Sequence, residues 1–112
     1  ARTAEQLRED EAVLAPMAQD FFDRFVSLKA TSIEIALAEF EAAPLAIRHR
    51  VIAMALTVLQ APEFARVHIR AIDALVDEWH GQKPLSLPGV RVERTARHIV
   101  LKTAKTLKPG AC

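Results

Sequence analysis

A chain of 112 residues, 51% of them apolar, is long enough for one domain with its own core and too apolar to be disordered. Its single cysteine, Cys112, excludes an internal disulfide and a thiolate metal site, and fits a reducing, cytoplasmic setting. The net charge of +1 hides a polarity: residues 1–44 hold four basic and nine acidic side chains, residues 45–80 hold four of each, and residues 81–112 set seven basic side chains against Glu93 alone.

Residues 3–28 read as one long helix. Leu7, Leu14, Phe21, Phe25 and Leu28 recur at helical spacings, Thr3 suits the N-cap, and Glu5, Glu9 and Asp10 complement the positive end of the helix dipole. Pro16 predicts a kink or break near residue 15. The acidic start is unlike a signal peptide, and no apolar run is long enough to cross a membrane. Residue 1 is Ala1 rather than Met, as expected of a piece processed or excised from a longer protein. The first half of this segment is poor in apolar residues and reads as a connector that needs a neighbour.

Residues 31–40 carry two signals. Ile33, Ile35 and Leu37 alternate as in a strand, yet Thr31 and Glu34 fit a capping box, and Ile33, Leu37 and Phe40 fit a helix. A short extended start turning into a helix is the favoured reading, ended by Pro44. Residues 45–60 predict a second helix, with His49, Arg50, Ala53, Thr57 and Gln60 on a solvent stripe. Arg48 falls instead among Val51, Ile52, Ala55 and Leu59, where a guanidinium must snorkel or find a carboxylate. The expected partner is an acid of the first helix, with direct phosphate contact the lesser reading.

Ala61 and Pro62 separate that helix from a third, over residues 63–80. Phe64, His68, Ile72, Leu75, Val76 and Trp79 are expected inward, and Arg66, Arg70, Asp73 and Asp77 outward as a solvated stripe of mixed sign. His68 reads as a structural polar residue of the core that locks two helices, although a general base would look similar. Gly81 is placed to end the helix. A loop follows, turning at Pro88 and Gly89. Residues 90–94 and 98–102 alternate with period two and predict a hairpin joined by Thr95, Ala96 and Arg97. The fold expected is therefore mainly α: a small domain of about four helices with a C-terminal two-stranded β-hairpin. Residues 1–28 form the connector, 29–104 the domain and 105–112 a basic tail.

Catalytic signatures are missing. The three glycines write no phosphate-binding loop, no CxxC or HExxH spacing offers a metal site, and Ser27, Ser32 and Ser86 sit in no nucleophile elbow. No catalytic residue and no metal are expected. The chemistry lies instead in the basic cluster of Arg91, Arg94, Arg97, His98 and Lys102, with Lys105 and Lys108 behind it. If Val90 and Val92 point inward, Arg91 and Glu93 point outward and Arg94 returns to the valine face. Such a set suits phosphate contacts, which supply affinity and register rather than sequence choice. With no aromatic interleaved, base stacking on the hairpin is not expected. The same charges would equally protect a solvated edge hairpin.

Four stretches, in order, resemble the tRNA(Ile)-lysidine synthetase family downstream of its catalytic domain. Residues 42–56 (AAPLAIRHRVIAMAL) resemble the segment of that family with a Leu-Pro-type entry, arginines and an apolar helix. Residues 2–10 (RTAEQLRED) resemble the connector helix, residues 67–81 (VHIRAIDALVDEWHG) the next helix, and residues 87–101 (LPGVRVERTARHIVL) the closing hairpin. Arg48, Arg50 and His68 match residue by residue. The resemblance implies an ATP- and L-lysine-dependent ligase that converts an anticodon cytidine of tRNA(Ile) to lysidine through an adenylate. That chemistry belongs to an N-terminal domain with a Ser-Gly-Gly-x-Asp-Ser loop, which this chain does not contain. The chain is then expected to be a non-catalytic tRNA-binding accessory domain, itself without a cofactor. Its partners would be tRNA(Ile) and its own catalytic domain; homodimerisation stays open. The tRNA-binding candidates are Arg48, Arg50, Arg91, Arg94, Arg97 and Lys102. Two other readings stand beside it. One is a winged-helix-like DNA-binding module, made from the helices over 45–60 and 63–80 and the hairpin. The other is a helical protein-interaction domain.

Overall fold

A computed structural model describes residues 3–61 and 64–103. Thr3 opens the first helix, α1 (Ala4–Phe25): its Oγ1 accepts from the Gln6 amide, and Gln6 Oε1 accepts from the Thr3 amide, both at 3.1 Å. This reciprocal cap satisfies two of the N–H groups that a helix start leaves open. The helix runs unbroken through Pro16. Pro16 and Ala12 are both exposed, so the carbonyl freed one turn back by the missing N–H is open to water. Of the kink or break expected there, the break does not occur.

Helix geometry ends at Val26, and the chain becomes extended. Strands β1 (Val26–Leu28) and β2 (Ser32–Ala36) pair antiparallel, Val26 opposite Ile35 and Leu28 opposite Ile33. The alternation of residues 32–36 wins over the helical reading, and Ile33 and Ile35 are fully buried. Two helices follow, α2 (Leu37–Ala42) and α3 (Leu45–Val58), separated by Ala43 and Pro44. Phe40 of α2 is completely buried and meets the Phe21 ring edge-on, with centroids 6.1 Å apart. Truncation of such a ring costs about 3–5 kcal/mol.

The next helix, α4, spans Arg66–Asp77, shorter at both ends than the 63–80 expected. Pro62, expected in its first turn, lies outside the described residues. Gly81, at φ +84, sits in the turn beyond the helix end. Three more strands complete the domain: β3 (Leu85–Leu87), β4 (Val90–Arg94) and β5 (His98–Thr103). Pro88 and Gly89 connect β3 to β4. Gly89 adopts φ +75, a conformation that strains any residue with a Cβ. In the β4–β5 turn, Thr95 Oγ1 accepts from the amide of His98 at 3.1 Å, and the Thr95 amide donates to the His98 carbonyl at 2.8 Å.

All five strands form one antiparallel sheet in the order β1-β2-β5-β4-β3. The expectation of a mainly α domain with a two-stranded hairpin is therefore corrected to a mixed α/β domain with a five-stranded sheet. The hairpin of β4 and β5 is present, but β5 is the middle strand. Ile33, Ile35, Val90, Val92, Ile99 and Leu101 share one face of the sheet and join the helices in a single core with Phe22, Phe40, Ile52, Leu56 and Ile72. The opposite face carries Ser27, Glu34, Arg91, Glu93, His98 and Lys102, and strand alternation turns it away from that core. Among the described residues, no helix is long and apolar enough to cross a membrane.

Candidate nucleic-acid interface

The five arginines and one lysine singled out by sequence divide into two groups. Arg48 belongs to the first. It is 9% exposed; its Nε donates to Asp73 Oδ1 at 2.7 Å, Nη2 to Asp73 Oδ2 at 3.2 Å, and Nη1 to the Ala43 carbonyl at 2.9 Å. Nη2 also lies 3.7 Å from Asp77 Oδ1. The partner is thus α4, not an acid of the first helix, and Asp73 is 5% exposed rather than part of a solvated stripe. The hydrogen bond to the Asp73 carboxylate raises the Arg48 pKa still further above its ordinary value, so the guanidinium stays charged. The pair ties α3, α4 and the α2–α3 connection together.

Arg94 plays a similar part. Strand alternation puts it on the core side of β4, where Nη1 donates to the Leu75 carbonyl in the last turn of α4 at 2.9 Å. Its guanidinium lies 4.8 Å from the centre of the Trp79 ring, and Nη2 is 3.4 Å from Glu41 of α2. Trp79, expected inward, is 40% exposed and follows the helix end. Arg50 is ion-paired with Glu11 of α1; that hydrogen bond holds the Glu11 carboxyl below its usual pKa. His68 is half-buried, and its Nδ1 accepts the Ala65 amide at 2.8 Å, so it caps α4 rather than locking two helices.

Arg91, Arg97 and Lys102 form the second group, and all three are exposed. Arg91 and Lys102 stand directly opposite each other on the open face of the sheet, with Ser32 beyond Lys102 and Ser86 beyond Arg91. This makes one row, hydroxyl, ammonium, guanidinium, hydroxyl, across four strands set about 4.8 Å apart. Like charges directly opposed in a sheet repel. Glu93 relieves Lys102 in part, at 3.6 Å. Arg91 has no ion pair among those found for the described residues. An anion laid across the row would relieve both cations. Sequence reasoning missed Ser32 and Ser86, because no local signal reports which residues the sheet register aligns. Lys29, at the start of the β1–β2 turn, stands at the same end of the sheet.

Arg97 is at the other end, in the β4–β5 turn, with His98 beside it. Its carbonyl accepts the Leu37 amide at the start of α2 at 2.9 Å, which fixes the turn against the domain. The expected cluster is therefore spread along the hairpin, about 15 Å from end to end at 3.3–3.4 Å per residue. Lys105 and Lys108 lie outside the described residues. Among the described residues no Phe or Trp stands on the open face, so the row suits phosphate contacts rather than stacking. Among the described residues no group of three or more His, Cys, Asp or Glu could hold a metal ion.

Residues 36–99 match a family model described as the TilS substrate binding domain. Three of its curated relatives are named tRNA(Ile)-lysidine synthase. That of Leifsonia xyli subsp. xyli (strain CTCB07) is 42% identical over 95 residues, covering 84% of this chain and 29% of the relative. That of Nocardia farcinica (strain IFM 10152) is 36% identical over 96 residues, 82% of this chain and 29% of the relative. That of Rhodococcus jostii (strain RHA1) is 34% identical over 110 residues, 98% of this chain and 32% of the relative. The chain thus spans about three-tenths of the length of the curated relatives it matches.

Proposed function

Since this chain belongs to the TilS substrate binding domain family, we propose that it is the non-catalytic, tRNA-binding accessory part of a tRNA(Ile)-lysidine synthase. The observation that carries this reading is the uncovered row of Ser32, Lys102, Arg91 and Ser86, with Arg97 at the far end of the same hairpin. Two opposed cations flanked by hydroxyls suit a sugar–phosphate strand, which supplies charge and accepts hydrogen bonds without demanding a base sequence. Discrimination of tRNA(Ile) would then rest on the rest of the enzyme. Its catalytic domain would use ATP to activate an anticodon cytidine as an adenylate, and the amine of L-lysine would displace the adenylate to give lysidine. A cytoplasmic location follows from a tRNA substrate.

The candidates contribute unequally. On the sheet Arg91, Arg97 and Lys102 are the contacts; Arg48 and Arg94 act by holding α3, α4 and β4 in place, and Arg50 holds α1 through one guanidinium nitrogen.

A salt-titrated anisotropy assay tests the reading with unmodified tRNA(Ile), an unrelated tRNA and duplex DNA. The expected result is binding that weakens steeply with salt, prefers tRNA to DNA, and is lost on replacing Arg91, Arg97 and Lys102 by Ala. Preference for DNA, or no binding of any of the three at low salt, would overturn it.

A further inference from the structure

A pocket of about 310 Å³ opens between α3 and the start of α4, on the helical side of the domain and apart from the open face of the sheet. His49, Arg50 and Ala53 form one wall, and Phe64, Arg66 and Ile69 the other. Three of these six side chains are basic and none is acidic. Arg66 is exposed and has no ion pair among those found for the described residues. Arg50 gives one guanidinium nitrogen to Glu11 and keeps its other N–H groups. His49 Nε2 stands 3.9 Å from Asp73 Oδ2, an oxygen already bonded to Arg48. The first turn of α4 contains no acid, so its partial positive charge adds to theirs.

Phe64 makes this more than a basic hollow. It is half-buried, packs against the core, and still lines the pocket. An aromatic ring beside cations fits a flat base joined to an anion, because stacking and charge-assisted hydrogen bonding act on the two parts separately. The volume lies at the small end of the range for ligand sites, about 300–1,000 Å³. We propose that this pocket receives a single unpaired nucleotide, its base against Phe64 and its phosphate on Arg66 and Arg50. The proposal rests on the RNA-binding reading for the source of that nucleotide, an RNA strand rather than the free pool, but not for its chemistry. The open sheet supplies phosphate contacts alone; the pocket would add contact with one base.

The test is an amide chemical-shift titration of the whole 112-residue chain with cytidine 5′-monophosphate, adenosine 5′-monophosphate, inorganic phosphate, a single-stranded ribohexamer and tRNA. Mononucleotides are expected to shift the amides of residues 49–53 and 64–69, and the hexamer to shift the same set at lower concentration. Phe64→Leu keeps the side chain apolar and should weaken mononucleotide binding about tenfold while leaving inorganic phosphate unchanged. Arg66→Gln should weaken both, and Lys83→Gln, an exposed cation outside both sites, neither. Each variant must retain the wild-type spectral dispersion. Equal shifts from phosphate and mononucleotide, with no effect of Phe64→Leu, would overturn the pocket. If tRNA binds through residues 91 and 102 while the pocket amides stay still, the pocket falls and the RNA reading stands. If mononucleotides shift the pocket but neither hexamer nor tRNA binds, the base-and-phosphate chemistry stands and its RNA source falls.

Discussion

Arg91 and Arg94 lie three residues apart on one five-residue strand, and the sheet gives them opposite fates. Arg91 stands on the open face opposite Lys102, exposed and without an ion pair among those found. Arg94 turns to the helical face, where a carbonyl of α4, the Trp79 ring and Glu41 share its guanidinium. An odd spacing along a strand reverses the face. A count of basic residues therefore says little about a binding surface until the strand's parity is known. The same division separates Arg48 and Arg50, engaged between helices, from Lys102 and Arg97.

The division predicts that the two groups fail in different assays. The largest effect is expected at the buried pair. Asp73→Ala leaves the Arg48 guanidinium without its bidentate partner and should cost about 3 kcal/mol in urea unfolding. That is the low end of the range, because Arg48 keeps the Ala43 carbonyl and Asp77. Arg48→Met combined with Asp73→Leu should recover most of the loss; no recovery would mean that the pair does more than balance charge. Next comes Arg94→Ala, which removes a charged hydrogen bond and a cation–π contact and should cost about 2 kcal/mol. Its effect on the salt slope of RNA binding should be nil, and a change there would move Arg94 into the interface group.

Arg91→Ala with Lys102→Ala sharpens the contrast from the other side. Stability should stay within about 0.5 kcal/mol, while the slope of log affinity against log salt falls by about two. The smallest effect concerns Glu11. Its pKa in the folded chain is held below the usual 4.5 by the Arg50 hydrogen bond. Its contribution is present above pH 4.5 and disappears as the pH falls through the lower folded value. Glu11→Gln should flatten that part of the acid unfolding curve slightly, since the carboxyl is exposed.

How legible this was depended on the range of the signal. The β4–β5 hairpin could be read because five residues alternate on each side of a short turn. β1 could not: Val26–Leu28 continues the helical series of Phe21 and Phe25, and three residues cannot display a period. β3 was hidden likewise beside Pro88 and Gly89. Residues 32–36 carried both patterns, and β2 wins because β1 and β5 pair on its two sides. Arg48 was recognised as a charge that needed a partner, but the partner is 25 residues away, beyond any local pattern. One clue was available. Asp73 is four residues after Ile69 and next to Ile72, so it lies at the edge of the apolar face of α4 just as Arg48 interrupts that of α3. The row formed by Ser32, Lys102, Arg91 and Ser86 depends on register between distant strands and left no trace in the sequence.

The place of β5 in the sheet also sets a schedule. The last strand of the described residues is the central one, hydrogen-bonded to β2 on one side and β4 on the other. Until residues 98–103 are in position, the strands can form only two separate ribbons, β1–β2 and β3–β4, and isolated two-stranded ribbons are marginal in water. On the ribosome the core therefore has no closed sheet to pack against until residue 103 has emerged, about 80 residues after the end of the first helix, which at roughly 5–20 residues per second is several seconds later. Folding of this domain should be late and concerted, driven by insertion of a strand between two waiting edges.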